Sequence, residues 1–186
     1  MSVDNVAGVP AVDVSFSDDV RVDCYVRTSL PGALVETVSD VVRRLERICE
    51  HGPLTECRIS QWPREHHTTV ADDEHSPARD ELVTEFERWA DRRGYTLEPA
   101  FRREETPPPP LSIGSDEPEE RIRVPILALA LYENDHEMEH GTLRGVIPCT
   151  KRSATGEQRT YSVDEWLSAV ETRDESGFDR TPNVVK

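Results

Sequence analysis

Five consecutive residues, His136-Glu137-Met138-Glu139-His140, reproduce the spacing H-E-x-x-H. On a helix, histidines four apart share one face and can hold a single zinc ion, while the glutamate beside the first activates the bound water. Asn134-Asp135 precedes this segment, Gly141 follows it, and strand-like apolar stretches flank both sides. Those neighbours predict an acidic hairpin loop, and no third ligand stands out downstream. Metal-dependent hydrolysis through His136, Glu137 and His140 therefore stands as the alternative reading of this chain.

A second histidine-acid group, His66-His67 with Asp72, Asp73, Glu74 and His75, falls in a polar stretch that reads as a solvated loop. A metal needs ligands held convergently, which such a loop does not provide. None of Ser60, Ser76, Ser112 and Ser162 sits in the G-x-S-x-G turn of an acyl-transfer nucleophile. The chain also lacks G-x-G-x-x-G and G-x-x-x-x-G-K-[ST], the glycine-rich loops that cradle phosphates. Cys24, Cys49, Cys57 and Cys149 include no C-x-x-C pair and read as reduced, buried thiols. Trp62, Trp89 and Trp166 read as core residues, and Arg102-Arg103 with Arg121 and Arg123 as arginines paired with Glu104, Glu105, Glu119 and Glu120. No catalytic residue, metal ligand or cofactor is assigned, and any ligand is left unspecified.

The elements that would position these residues follow from periodicity. Val20, Val22, Cys24 and Val26 alternate with polar residues, as in a strand with one buried face. Leu34, Val38, Val41, Val42, Leu45, Ile48 and Cys49 recur at helical spacing, and Gly52-Pro53 closes that helix. Thr55, Cys57 and Ile59 predict a second strand ending near Trp62. Ser76-Pro77 opens a second helix with Leu82, Val83, Phe86, Trp89 and Ala90 inward and Gly94 at its end. A third strand runs over Tyr95–Phe101, with Pro99 restricting it to an edge. Val124–Tyr132 is apolar on both faces and should lie centrally in the sheet, with Leu143–Cys149 returning beside it as a hairpin. Residues 150–160 read as a polar, turn-rich connection. Ser162 and Glu165 form a capping box at the start of a last helix.

Thirty-seven acidic residues face twenty-two basic ones, and only Lys151 and Lys186 are lysines. At ~1 M salt the Debye length is about 3 Å, so the self-repulsion of a net charge of −15 is largely screened there. The surface reads as adapted to brine, and the protein should loosen on desalting. With apolar residues at only 35%, the core must be lean, and no run is long enough for a membrane helix. The start Met1-Ser2-Val3-Asp4 lacks the basic and apolar regions of a secretory signal, so a cytoplasmic location is expected.

Several stretches carry a resemblance. They are Arg21–Thr28 with its following helix, Phe86–Asp91 through Glu98-Pro99-Ala100-Phe101, Val124-Pro125-Ile126 through Gly145–Cys149, and the closing Tyr161–Leu167. Together they span most of residues 20–170, and they resemble a haloarchaeal family often labelled as helix-turn-helix domain proteins. The resemblance implies transcription-related work and brings no known catalytic residues.

The expected organisation is a flexible tail at 1–17, one α+β domain at 18–172 with an exposed Pro/Glu-rich loop at 104–120, and a flexible tail at 173–186. The expected fold is two-layered and ferredoxin-like, a mostly antiparallel sheet with helices packed on one face. The expected function is a non-enzymatic regulatory or interaction module of a halophilic cytoplasm, transcription-associated and homodimeric. A protein partner and DNA both stay open as targets, and no membrane is involved.

Overall fold

The structure is a computed structural model that describes residues 19–63, 78–106, 119–134, 141–153 and 155–177. In chain order its elements are β1 (Val20–Val26), α1 (Gly32–His51), β2 (Glu56–Gln61), α2 (Arg79–Arg93), β3 (Tyr95–Thr96) and β4 (Arg102–Thr106). There follow β5 (Glu119–Arg123), β6 (Leu127–Glu133), β7 (Thr142–Ile147), β8 (Cys149–Arg152), β9 (Gln158–Tyr161) and α3 (Val163–Gly177).

The main sheet has the order β2-β1-β6-β7. β1 and β2 run parallel as direct neighbours, Val22 opposite Cys57 and Cys24 opposite Ile59. A parallel pair requires a crossover, and α1 supplies it. β6 lies antiparallel on the other side of β1, and β7 is antiparallel to β6. The α+β class stands, but the sheet is mixed. In a ferredoxin-like split βαβ unit another strand would separate β1 from β2, and none does.

The helices cover both faces, which corrects the two-layer expectation. Val20, Val22 and Cys24 point to one side with Leu129, Leu131 and Ile147, their counterparts on β6 and β7. On that side Cys57 Sγ donates to the Leu45 carbonyl of α1, and α3 joins α1 through Arg44, which bonds Glu171 at 2.7 Å and Ser168 at 3.0 Å and pairs with Asp164. Arg21, Asp23 and Tyr25 point the other way, where the Tyr25 ring lies 6.1 Å from Phe86 of α2. Ala128 and Ala130 stand on this second face opposite Tyr25 and Asp23. Their small side chains leave room for Phe86, Trp62 and Phe101, whose rings meet nearly edge to face at 5.8–6.5 Å. Phe86, Leu82, Val83, Leu129, Leu131 and Ile147 are all fully buried. Burial stabilises each by about 1.5–3 kcal/mol.

The rest of the chain builds two small sheets. β4 and β5 pair as a ribbon, Arg103 opposite Ile122 and Glu104 opposite Arg121. The loop expected over 104–120 is therefore partly strand at both its ends, and residues 107–118 lie outside the described set. β8 leaves the main sheet after Pro148 and stands between β3 and β9. Cys149 thus belongs to this second sheet and not to the β7 hairpin. The capping box forms as its sequence demands: Ser162 N donates to Glu165 at 3.0 Å and Glu165 N to Ser162 Oγ at 3.2 Å. α3 continues to Gly177, past the expected end at Thr172. At α2, Glu81 reaches back to the Ala78 amide at 3.2 Å, while Ser76-Pro77 lies outside the described residues.

Candidate nucleic-acid interface

The chain holds far more acid than base, so an arginine should find a carboxylate wherever one is in reach. Several do. Arg21 pairs with Asp23, Arg43 with Asp40, Arg58 with Glu56, Arg103 with Glu87, Arg123 with Glu104 and Arg144 with Glu133. The expected pairing of the ribbon arginines is thus seen at Arg123–Glu104, and Arg103 also reaches Glu87 of α2.

The β8–β9 hairpin gathers basic residues that stand outside these pairs. Lys151 of β8 faces Arg159 of β9, and Arg152 follows at the tip. All three side chains are exposed, and among the described residues no carboxylate is paired with any of them. The hairpin exists because Gly156 adopts φ +85, a conformation that side chains rarely permit. Its turn closes with Gly156 N donating to Ser153 O at 3.0 Å and Ser153 N to Glu157 O at 2.9 Å. Lys151, Arg152, Ser153, Glu157, Gln158, Arg159 and Tyr161 line an open concavity of about 700 Å³.

Aromatic rings hold two of these cations in place. The Lys151 ammonium lies 6.0 Å above the Tyr95 ring, which stacks on Trp89 at 5.4 Å on its other side. Arg159 lies 4.9 Å above Tyr161. Rings covered in this way are not open platforms for bases, and what the hairpin presents is positive charge. Arg152 also anchors the hairpin to the end of α2, its amide donating to the Gly94 carbonyl at 3.4 Å. Arg92 and Arg93 occupy that last helical turn, next to the hairpin.

The second polar group of note is buried. Arg21 makes two bonds to Asp23, at 3.0 and 3.3 Å, and its guanidinium lies 4.7 Å over the Tyr132 ring. Burial raises the Asp23 pKa above its usual value, against the opposing pull of Arg21. Burial likewise raises Tyr25 and Tyr132. Each charge is neutralised by its partner beneath α2, so this group braces the sheet against the helix.

The remaining sequence candidates divide plainly. His136, Glu137 and His140 lie outside the described residues, as do His66, His67, Asp72, Asp73, Glu74, His75, Ser76 and Ser112. Among the described residues no group of three His, Cys, Asp or Glu side chains could hold a metal ion. Ser162 caps α3, and Ser60 is exposed on β2. Trp62 and Trp89 are buried with their indole N–H groups on the Pro125 and Arg144 carbonyls, at 3.0 and 2.9 Å. Trp166 is buried too, and its N–H has no hydrogen-bond partner among the described residues. Cys24 and Cys149 are buried, and desolvation pushes each thiol up to about 12. Cys49 and Cys57 are only half-buried.

A family model described as a helix-turn-helix domain matches residues 14–175. The chain belongs to that helix-turn-helix domain family. No curated protein and no solved structure matches it. Within this helix-turn-helix domain the described helices are not joined by a short turn: β2 follows α1, β3 follows α2, and α3 is preceded by β9. The basic hairpin was the feature missed in the polar connection at 150–160. Its signals were one of the chain's two lysines and a strand-turn-strand pattern around Gly156. No helix among the described residues is long and apolar enough to cross a membrane.

Proposed function

We propose that this helix-turn-helix domain protein is a non-enzymatic, transcription-associated regulator of a salt-rich cytoplasm that grips the phosphate backbone of nucleic acid with its β8–β9 hairpin. One observation carries the reading: among the described residues Lys151, Arg152 and Arg159 stand together without carboxylate partners, on a chain of net charge −15. Leaving cations unpaired amid excess acid favours an anion from outside. Phosphate contacts position a protein on nucleic acid, whereas base edges supply specificity. Three such contacts are weak at high salt, since binding falls with about the 0.9 power of salt per phosphate neutralised. A dimer that doubles the contacts meets that difficulty. Its reading is supported by the open edge of β2, where Ile59 is 43% exposed, with Val35 of α1 46% exposed.

The test compares wild type with a Lys151→Gln/Arg152→Gln/Arg159→Gln variant by fluorescence anisotropy on labelled duplex in graded KCl. Wild type should show a log–log salt slope steeper than the variant by about 2.7 per protomer. Equal slopes would remove the hairpin from the interface. Light scattering in about 3 M KCl, where repulsion is screened, tests the dimer separately, and a strict monomer would discard it. Cross-linking and sequencing of bound DNA in the native host tests the transcriptional role, which a flat profile would refute.

A further inference from the structure

Three of the four cysteines gather on the α1 side of the main sheet. Cys24 of β1 and Cys57 of β2 point to that side, because Cys57 stands opposite Val22 in the parallel register. Cys49 lies in the last turn of α1, four residues after Leu45. The Cys57 thiol donates to the Leu45 carbonyl at 3.7 Å. Residues i and i+4 of a helix lie one above the other, so this contact sets the Cys57 sulfur beside Cys49. Cys24 is sealed in the core, whereas Cys49 and Cys57 are half-buried and open to small reagents.

We infer that Cys49 and Cys57 are a thiol pair that a low-molecular-weight disulfide oxidises to an internal disulfide, fastening α1 to β2. The Cys49 thiolate attacks one sulfur of the small disulfide. A mixed disulfide forms on Cys49, the reagent's S–S bond breaks, and the departing thiolate takes up the proton that Cys49 lost. Cys57 sulfur then attacks the Cys49 sulfur. The protein S–S bond forms, the mixed disulfide breaks, and the Cys57 proton goes to the second departing thiolate. Two protein thiols are oxidised and one small disulfide is reduced to two thiols. Cys49 attacks first because burial and the neighbouring Cys49 keep Cys57 in its protonated form. Neither thiol sits at a helix N-terminus, so exchange is slow and the pair follows sustained changes in redox poise.

Cleavage after Arg47 and Arg58 yields one tryptic peptide, residues 48–58, that contains both cysteines and no other. The full chain in high KCl is incubated with oxidised glutathione and digested without reductant. The expected product is that peptide lighter by about 2 Da, the mass of the two hydrogens removed, with dithiothreitol restoring it and a higher unfolding midpoint for the oxidised protein. Cys57→Ser should halt at a glutathione adduct on Cys49, and Cys49→Ser should leave Cys57 free of adduct. Circular dichroism of both variants verifies the fold. A stable adduct on wild type, an unmodified peptide, or a cross-link to Cys24 or Cys149 would each overturn the inference.

Discussion

Replacing Asp23 with alanine removes the carboxylate paired with the buried Arg21 guanidinium. Arg21 is 6% exposed and Asp23 8%, so water cannot take the carboxylate's place. Removing one partner from a buried pair costs about 3–5 kcal/mol, because the surviving charge keeps its desolvation penalty. Against a total stability of about 5–15 kcal/mol, that is a large share. Replacing both partners with apolar residues, Arg21→Met with Asp23→Leu, removes the charge altogether and should be neutral or stabilising by about 1–4 kcal/mol. Denaturant titration at constant high salt measures both, with an unchanged slope confirming that the same transition is compared. The pH dependence has a definite sign. Burial raises the folded-state pKa of Asp23, so the contribution of this group is fully present below its unfolded value and is lost as pH rises through the raised folded value. An Asp23→Ala loss below about 1 kcal/mol, within the range of an exposed pair, would refute the argument. So would a double variant as unstable as the single one.

Ala130 is wholly buried under α2, so Ala130→Leu should cost about 1–3 kcal/mol by overpacking; a sheet open on that face would tolerate it, and thermal unfolding decides. Arg44→Met should remove about 1 kcal/mol by untying α1 from α3. Hydrogen bonding to Arg44 lowers the Glu171 pKa, so wild type should exceed this variant above the unfolded carboxylate value, the advantage fading as pH falls through the depressed folded value; urea midpoints across that range check it. Dialysis from about 1 M to about 0.01 M salt extends the Debye length from about 3 to about 30 Å, and circular dichroism should then show loss of structure. A fold retained in dilute buffer would remove the brine-adapted reading.

Periodicity made most elements legible. Val20–Val26 is a strand with the expected bounds, and the α1 stripe places Val38, Leu45 and Ile48 inward. Layering was harder to read. A segment apolar on both faces, such as Val124–Tyr132, needs cover on both, and that requirement already argued for helices on opposite sides. The alternation in β1 concealed it, because its polar residues are buried too: Arg21 and Asp23 neutralise each other and Tyr25 packs on Trp62. A pattern of hydrophobic and polar letters cannot show that a polar residue is inside with its partner. The interface was hidden for a related reason. Lys151 and Arg159 stand eight positions apart and become a patch only once Gly156 folds the hairpin. By contrast, Ser162 and Glu165 needed only their spacing, and the box they form is wholly local.

The placement of β1 between partners from distant parts of the chain governs how the molecule can be made. Its first neighbour, β2, arrives soon after it leaves the ribosome, but Leu131, which faces Val22, is about a hundred residues further on. Until then the nascent β1 shows an unpaired row of amides and carbonyls, the kind of edge that recruits other chains. Synthesis pauses or truncations before β6 should therefore yield aggregates, whereas chains completed through β6 can close that edge themselves.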